Sequence, residues 1–147
     1  MDNAAKGRIL ALDLGKRRIG LALSDELRLT AQGLATLERA NMRVDLARLS
    51  DLVTERGVVL ILVGNPLHMD GSEGSQSGWA REFAEKLRGR TGLAVRMWDE
   101  RLTTVEAERV LRQSGISQQK RGAAVDRLAA VVLLQSYLDS LGEDPAG

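Results

Sequence analysis

The stretch Arg8-Ile9-Leu10-Ala11-Leu12-Asp13-Leu14-Gly15-Lys16-Arg17-Arg18-Ile19-Gly20-Leu21-Ala22-Leu23-Ser24 decides how this chain folds. Two apolar runs flank a short turn made of glycine and basic residues. Arg8 to Leu14 and Ile19 to Ser24 therefore read as strands, and so short a connection makes them an antiparallel hairpin. Side chains alternate along a strand, so Ile9, Ala11 and Asp13 share one face while Leu10, Leu12 and Leu14 share the other. Asp13 thus stands where the first strand leaves the sheet. By itself such an aspartate could equally bond turn amides.

Working outward from the hairpin, Leu34 to Leu37 reads as a weaker third strand. Leu46, Leu49 and Val53 recur at three and four residues among polar neighbours, which predicts an amphipathic helix from about Arg43 to Arg56, stopped by Gly57. Val58 to Val63 is a continuous, β-branched-rich run suited to a central strand buried on both faces, ended by Gly64-Asn65-Pro66. Leu67 to Gly78 holds Asp70-Gly71, Gly74 and Gly78 and reads as a mobile loop. Trp79, Phe83 and Leu87 mark a second helix closed by Gly89 and Gly92, and Ala94 to Asp99 a fifth strand. Thr103 with Glu106 fits a capping box opening a helix that ends at Gly115. Ile116 to Gly122 is a polar, basic connection. The final helix runs from about Ala123 to Leu141, and Gly142 to Gly147 frays. The order β-β-β-α-β-α-β-α-α predicts an α/β fold, a mixed five-stranded sheet with helices on both faces.

No internal repeat interrupts this order, so residues 1–147 read as one domain with its core over about 8–141. A domain of this size buries roughly 70% of its unfolded surface, and a 44% hydrophobic share supplies the core. The core is aliphatic, since Trp79, Trp98, Phe83 and Tyr137 are the only aromatic residues. That argues against the stacking platforms of single-strand binders. The net charge of +1 conceals basic clusters at Lys16-Arg17-Arg18, Arg88/Arg90 and Lys120-Arg121. Such clusters hold phosphates or merely solvate loops. The absence of cysteine excludes disulfides, zinc–thiolate sites and thiol catalysis. Met1 to Lys6 lacks the layout of a signal peptide, and no apolar run nears the roughly 20 residues of a membrane helix. A soluble, cytoplasmic protein is the expectation.

Three acidic residues border apolar runs: Asp13, Glu100 after Val95-Arg96-Met97-Trp98-Asp99, and Asp126 ahead of Leu128 to Leu134. Carboxylates held at one sheet edge repel unless a cation lies among them, and all-oxygen ligands favour a hard ion such as Mg²⁺ or Mn²⁺. This is the outline of a metal-dependent phosphodiester-cutting site. Each acid also has a structural reading: a turn aspartate at 13, an Asp99–Arg101 ion pair beside 100, a helix-dipole partner at 126. Alternation sends Asp99 and Glu100 to opposite faces, so one of them reaches the site. In the loop, Asp70 reads as a turn residue before Gly71, and His68, the only histidine, as a solvated side chain or a proton shuttle. Lys16, Arg17 and Arg18 form the hairpin tip beside Asp13, placed to meet a phosphate backbone, as are Lys120 and Arg121.

Taken together, Leu12-Asp13-Leu14-Gly15-Lys16-Arg17-Arg18-Ile19-Gly20, Val63-Gly64-Asn65-Pro66-Leu67-His68-Met69-Asp70-Gly71, Asp99-Glu100-Arg101-Leu102-Thr103-Thr104-Val105-Glu106-Ala107 and Asp126-Arg127-Leu128-Ala129-Ala130 resemble the YqgF/RuvX family. The resemblance spans Arg8 to about Leu141 and implies a ribonuclease H-like nuclease domain. It implies maturation of the 5′ end of pre-16S ribosomal RNA, with Holliday junction resolution as another activity. It also implies that Asp13, Glu100 and Asp126 are the acidic triad; on the chemistry of their carboxylates, the three are expected to hold one or two Mg²⁺ or Mn²⁺ ions over a scissile phosphate. The expected partners are structured RNA such as pre-rRNA, or branched DNA; junction cleavage needs two active sites, hence a homodimer. Two rival readings stand beside this one. A non-cleaving nucleic-acid-binding factor in ribosome assembly or transcription would use the basic clusters alone. An ATPase of the actin and Hsp70 type would need two such domains.

Overall fold

A computed structural model of the chain describes residues 6–66, 70–100 and 121–142, without the side chains of 121–126 and 142. Strands β1 (Arg8–Leu14), β2 (Arg18–Ser24) and β3 (Ala31–Glu38) precede α1 (Met42–Arg56), β4 (Val58–Asn65), α2 (Ser75–Thr91), β5 (Ala94–Asp99) and α3 (Arg121–Gly142). The sheet order is β3-β2-β1-β4-β5. The first three strands pair antiparallel, and β4 and β5 join parallel beside β1. The mixed five-stranded sheet predicted from the sequence is present.

Strand alternation sorts the core into two layers. Leu10, Leu12, Ile61, Val63 and Val95 pack with Leu49, Phe83 and Leu87 of α1 and α2. Ile9, Ala11, Leu60 and Leu62 pack with Ala130, Leu133, Leu134 and Tyr137 of α3. Helices therefore cover both faces. The apolar character of α3 follows from its seat across β2, β3 and β1. At Gly33 the helix comes so close that a Cβ would lie 2.7 Å from Cγ of Arg127.

Several boundaries differ from the sequence expectation. β2 begins at Arg18, the partner of Glu38 across the ladder, so Arg18 belongs to a strand and only Lys16 and Arg17 form the exposed tip. β3 is longer than Leu34 to Leu37, because an edge strand needs one paired side and tolerates polar residues and glycine. β4 runs on through Gly64 and Asn65, which pair with Trp98 and Asp99. The loop expected up to Gly78 stops at Gly74, since Ser77 is buried in the first turn of α2. Gly89 lies within that helix, which ends at the left-handed Gly92. α3 (Arg121–Gly142) already includes Arg121, two residues before the expected Ala123, so Arg121 is helical and not part of the connection. The helix expected from Thr103 to Gly115 falls outside the described residues. So do Lys120, His68 and the Asp99–Arg101 pairing.

Candidate active site

β1, β4 and β5 run parallel, so their C-terminal ends lie along one edge of the sheet. Alternation then assigns faces. Asp13 continues the Ile9, Ala11 row, Gly64 the Leu60, Leu62 row, and Glu100 follows Trp98, all on the side covered by α3. Asp13 and Glu100 flank β4 from either side. Neighbouring strands lie about 4.8 Å apart, so carboxylates two strands apart meet only if nothing stands between them. Gly64 supplies that opening: a Cβ there would lie 2.0 Å from Oε2 of Glu100 and 3.2 Å from Leu133.

Asp13 and Glu100 do stand side by side there, near enough for the Asp13 carboxyl to act on Glu100 through its charge and as a hydrogen-bond partner. The Glu100 carboxyl is pushed up to about 9. Burial is the main cause, followed by the Asp13 charge, the Asp13 hydrogen bond and the charge of Asp99. Two carboxyl groups so placed share a proton at neutral pH, because two adjacent negative charges with little water are costly. The backbone N–H of Glu100 donates to the carbonyl of Asn65 at 3.2 Å. The Asn65 side chain accepts a buried 2.5 Å hydrogen bond from Ser77 Oγ. A chain of contacts thus runs from the first turn of α2 through the end of β4 to Glu100. Trp98, on the same face, stacks edge-on against Tyr137 with centroids 5.0 Å apart and fixes β5 against α3.

Of the predicted acids, the structure brings Asp13 and Glu100 together. Asp126 lies in the first turns of α3, four residues before Ala130 and seven before Leu133 in the buried stripe; its side chain is outside the described residues. Among the described residues no group of three acidic or histidine side chains converges. Asp70 closes its own turn, accepting from the Ser72 N–H at 2.9 Å and the Ser72 hydroxyl at 2.6 Å. Lys16 and Arg17 are exposed at the tip next to Asp13. Gly64, Asn65 and Ser77 had no marker in the sequence beyond a strand ending in glycine. Their role needs the strand order, which periodicity does not give.

The profile of a protein family described as "RuvX: Holliday junction resolvase" matches residues 7–140. A relative from Koribacter versatilis (strain Ellin345), named "Putative pre-16S rRNA nuclease", is 54% identical over 97% of this chain and 93% of its own length. A relative of the same name from Symbiobacterium thermophilum is 46% identical over 94% of this chain and 96% of its own. Among solved structures, Thermus thermophilus RuvC in complex with a Holliday junction substrate superposes with a TM-score of 0.56. It covers 92% of this chain and 96% of that one at 15% identity, a likeness of fold, the ribonuclease H-like fold of RuvC-type resolvases.

Proposed function

This chain belongs to the RuvX family, and from that premise we propose that it is a metal-dependent endonuclease that processes the 5′ end of pre-16S ribosomal RNA. The observation that carries the reading is the Asp13–Glu100 pair closed over Gly64. A pair that must retain a proton is a site short of positive charge, and its donors are all oxygen, so a hard divalent cation suits it. Asp13 and Glu100 hold one or two Mg²⁺ or Mn²⁺ ions, with Asp126 as the third acid from its register on α3. When bound, such ions activate a water and relieve charge on the leaving oxygen.

The chain's own residues do the rest. Asn65 and the β5 ladder fix the backbone of Glu100, so its carboxylate does not have to reorganise during the reaction. Lys16 and Arg17 extend from the turn directly after Asp13 and meet phosphates flanking the scissile one, with Lys120 and Arg121 as further contacts. The reading entails a cytoplasmic protein working on nucleic acid. No helix among the described residues is long and apolar enough to cross a membrane.

The family's description favours a second reading, cleavage of four-way DNA junctions, which would require a homodimer. A cleavage assay with Mg²⁺ or Mn²⁺ on precursor ribosomal RNA, linear duplex and junction DNA side by side separates the two. Metal-dependent cuts near the mature 16S end, abolished in Asp13→Asn, support the first reading. Cuts on the junction alone support the second. Nucleic acid bound without cutting under any divalent ion would leave a binding factor instead.

A further inference from the structure

The opposite face of the same sheet edge carries a cavity. Asp13 and Leu14 are adjacent but leave β1 on opposite sides, and where Asp13 points towards α3, Leu14 lines a cavity of about 900 Å³ under α1 and α2. That volume lies within the roughly 300–1,000 Å³ typical of small-molecule pockets. Its walls combine apolar surface, from Leu14, Ala80 and Trp79, with Gln76, the two exposed cations Lys16 and Arg17, and one exposed carboxylate, Glu38.

The aromatic wall is held rigidly. The Arg39 guanidinium lies 4.3 Å from the Trp79 ring centroid, and its Nη1 donates to the Gly15 carbonyl at 3.0 Å. Its Nε reaches Asp45 at 3.5 Å. Asp45, wholly buried, also accepts from the Ala40 N–H at 3.0 Å. One face of the indole is thereby committed, and the hairpin turn, the start of α1 and the first turns of α2 are tied around one opening.

The geometry points to this cleft as a binding site for an unpaired nucleotide of a nucleic-acid strand, its base against Trp79 and Gln76 and its phosphate on Lys16 and Arg17. An apolar, aromatic wall beside cations suits a base with its phosphate, whereas a base kept in a duplex stack cannot enter a recess. The inference deepens the nuclease reading and rests on it: a strand crossing the sheet edge would engage the cleft on one face and the carboxylates on the other. The chain is poor in aromatic residues, and a single fixed indole is all that one nucleotide needs.

The test is fluorescence anisotropy of the full chain in chelator, with a labelled single-stranded RNA and a blunt duplex of the same sequence. The single strand should bind about tenfold more tightly, within the range that one base–aromatic contact contributes. Gln76→Trp, at an exposed position, fills the opening and should reduce that preference to near unity. Adenosine monophosphate at millimolar concentration should compete with the strand for the wild type and not for Gln76→Trp. Equal affinity for strand and duplex, a preference that survives Gln76→Trp, or no competition by the mononucleotide for the wild type would overturn the proposal. Cleavage is scored separately with Mg²⁺ on precursor ribosomal RNA, the single strand, the duplex and a four-way junction. Cutting without single-strand preference removes the cleft and leaves the nuclease, whereas preference without cutting on any substrate keeps the cleft and removes the nuclease.

Discussion

Gly64 shows how much chemistry can depend on a missing side chain. Its Cβ would occupy the space of the Glu100 carboxylate, 2.0 Å from Oε2, so Gly64→Ala should displace Glu100 by an ångström or more. Misplacement on that scale costs roughly 100-fold in rate. The expected outcome is a folded protein, checked by circular dichroism, with cleavage down by about two orders of magnitude. Glu100 makes a different prediction, about pH. Its folded pKa of about 9 lies above the ordinary value of 4.5, so between those values the native state holds a proton that the unfolded chain has released. Unfolding free energy therefore falls as pH rises through that window, the reverse of an ordinary salt-bridged carboxylate. In chelator, the melting temperature of the wild type should drop from pH 5 to pH 9 relative to that of Glu100→Gln. The gap should reach at least about 2–4 °C, the shift expected for roughly 1 kcal/mol in a chain of this size. Parallel curves for the two proteins would remove the claim that this pair shares a proton.

At the level of elements, the first turn of α2 is the least obvious contributor to the site. Ser77 and Asn65 make the buried bond that ties this helix to the end of β4, and Asn65 in turn receives the Glu100 N–H. Ser77→Ala leaves the Asn65 oxygen buried and unsatisfied, which costs about 1–3 kcal/mol. Urea unfolding should show that loss, and the same variant should bind Mn²⁺ more weakly. This helix start is also the hardest to read in the sequence: Gly74, Ser75 and Gly78 are loop-forming residues, yet Gly74 caps the helix, Ser75 and Gly78 lie within it, and Ser77 ties its first turn to Asn65. By contrast, Arg8 to Leu14 and Ala94 to Asp99 were legible because strict alternation fixes which acid faces which side. β3 reads shorter than it is because an edge strand carries polar residues that hide its period. Asp45 reads as part of a polar helix face, yet it is wholly buried; its partner Arg39 lies outside the helix, beyond the reach of a periodicity argument.

For the whole molecule, the sheet order matters more than any single motif. Placing β4 between β1 and β5 sets Asp13, Gly64 and Glu100 side by side from three distant parts of the sequence. The basic residues next to that edge give binding its electrostatics. With a net charge of only +1, affinity for nucleic acid depends on local cations. Replacing Lys16 and Arg17 together by alanine should weaken binding to RNA and DNA alike, and reduce the log–log salt slope by about 1.4–1.8, from roughly 0.7–0.9 per phosphate contact. An unchanged slope would remove both residues from the interface. The family relationship and the fold agree with this arrangement, and the central claim within it concerns a proton and a cation competing for one pair of carboxyl groups. Calorimetric titration of Mn²⁺ into the protein at pH 7.5, repeated in buffers of different ionisation enthalpy, measures that competition directly. The account predicts release of about one proton per ion bound by the wild type, with both binding and release lost in Asp13→Asn and no proton released from Glu100→Gln. Binding without proton release, or binding equally tight in Asp13→Asn, would contradict it.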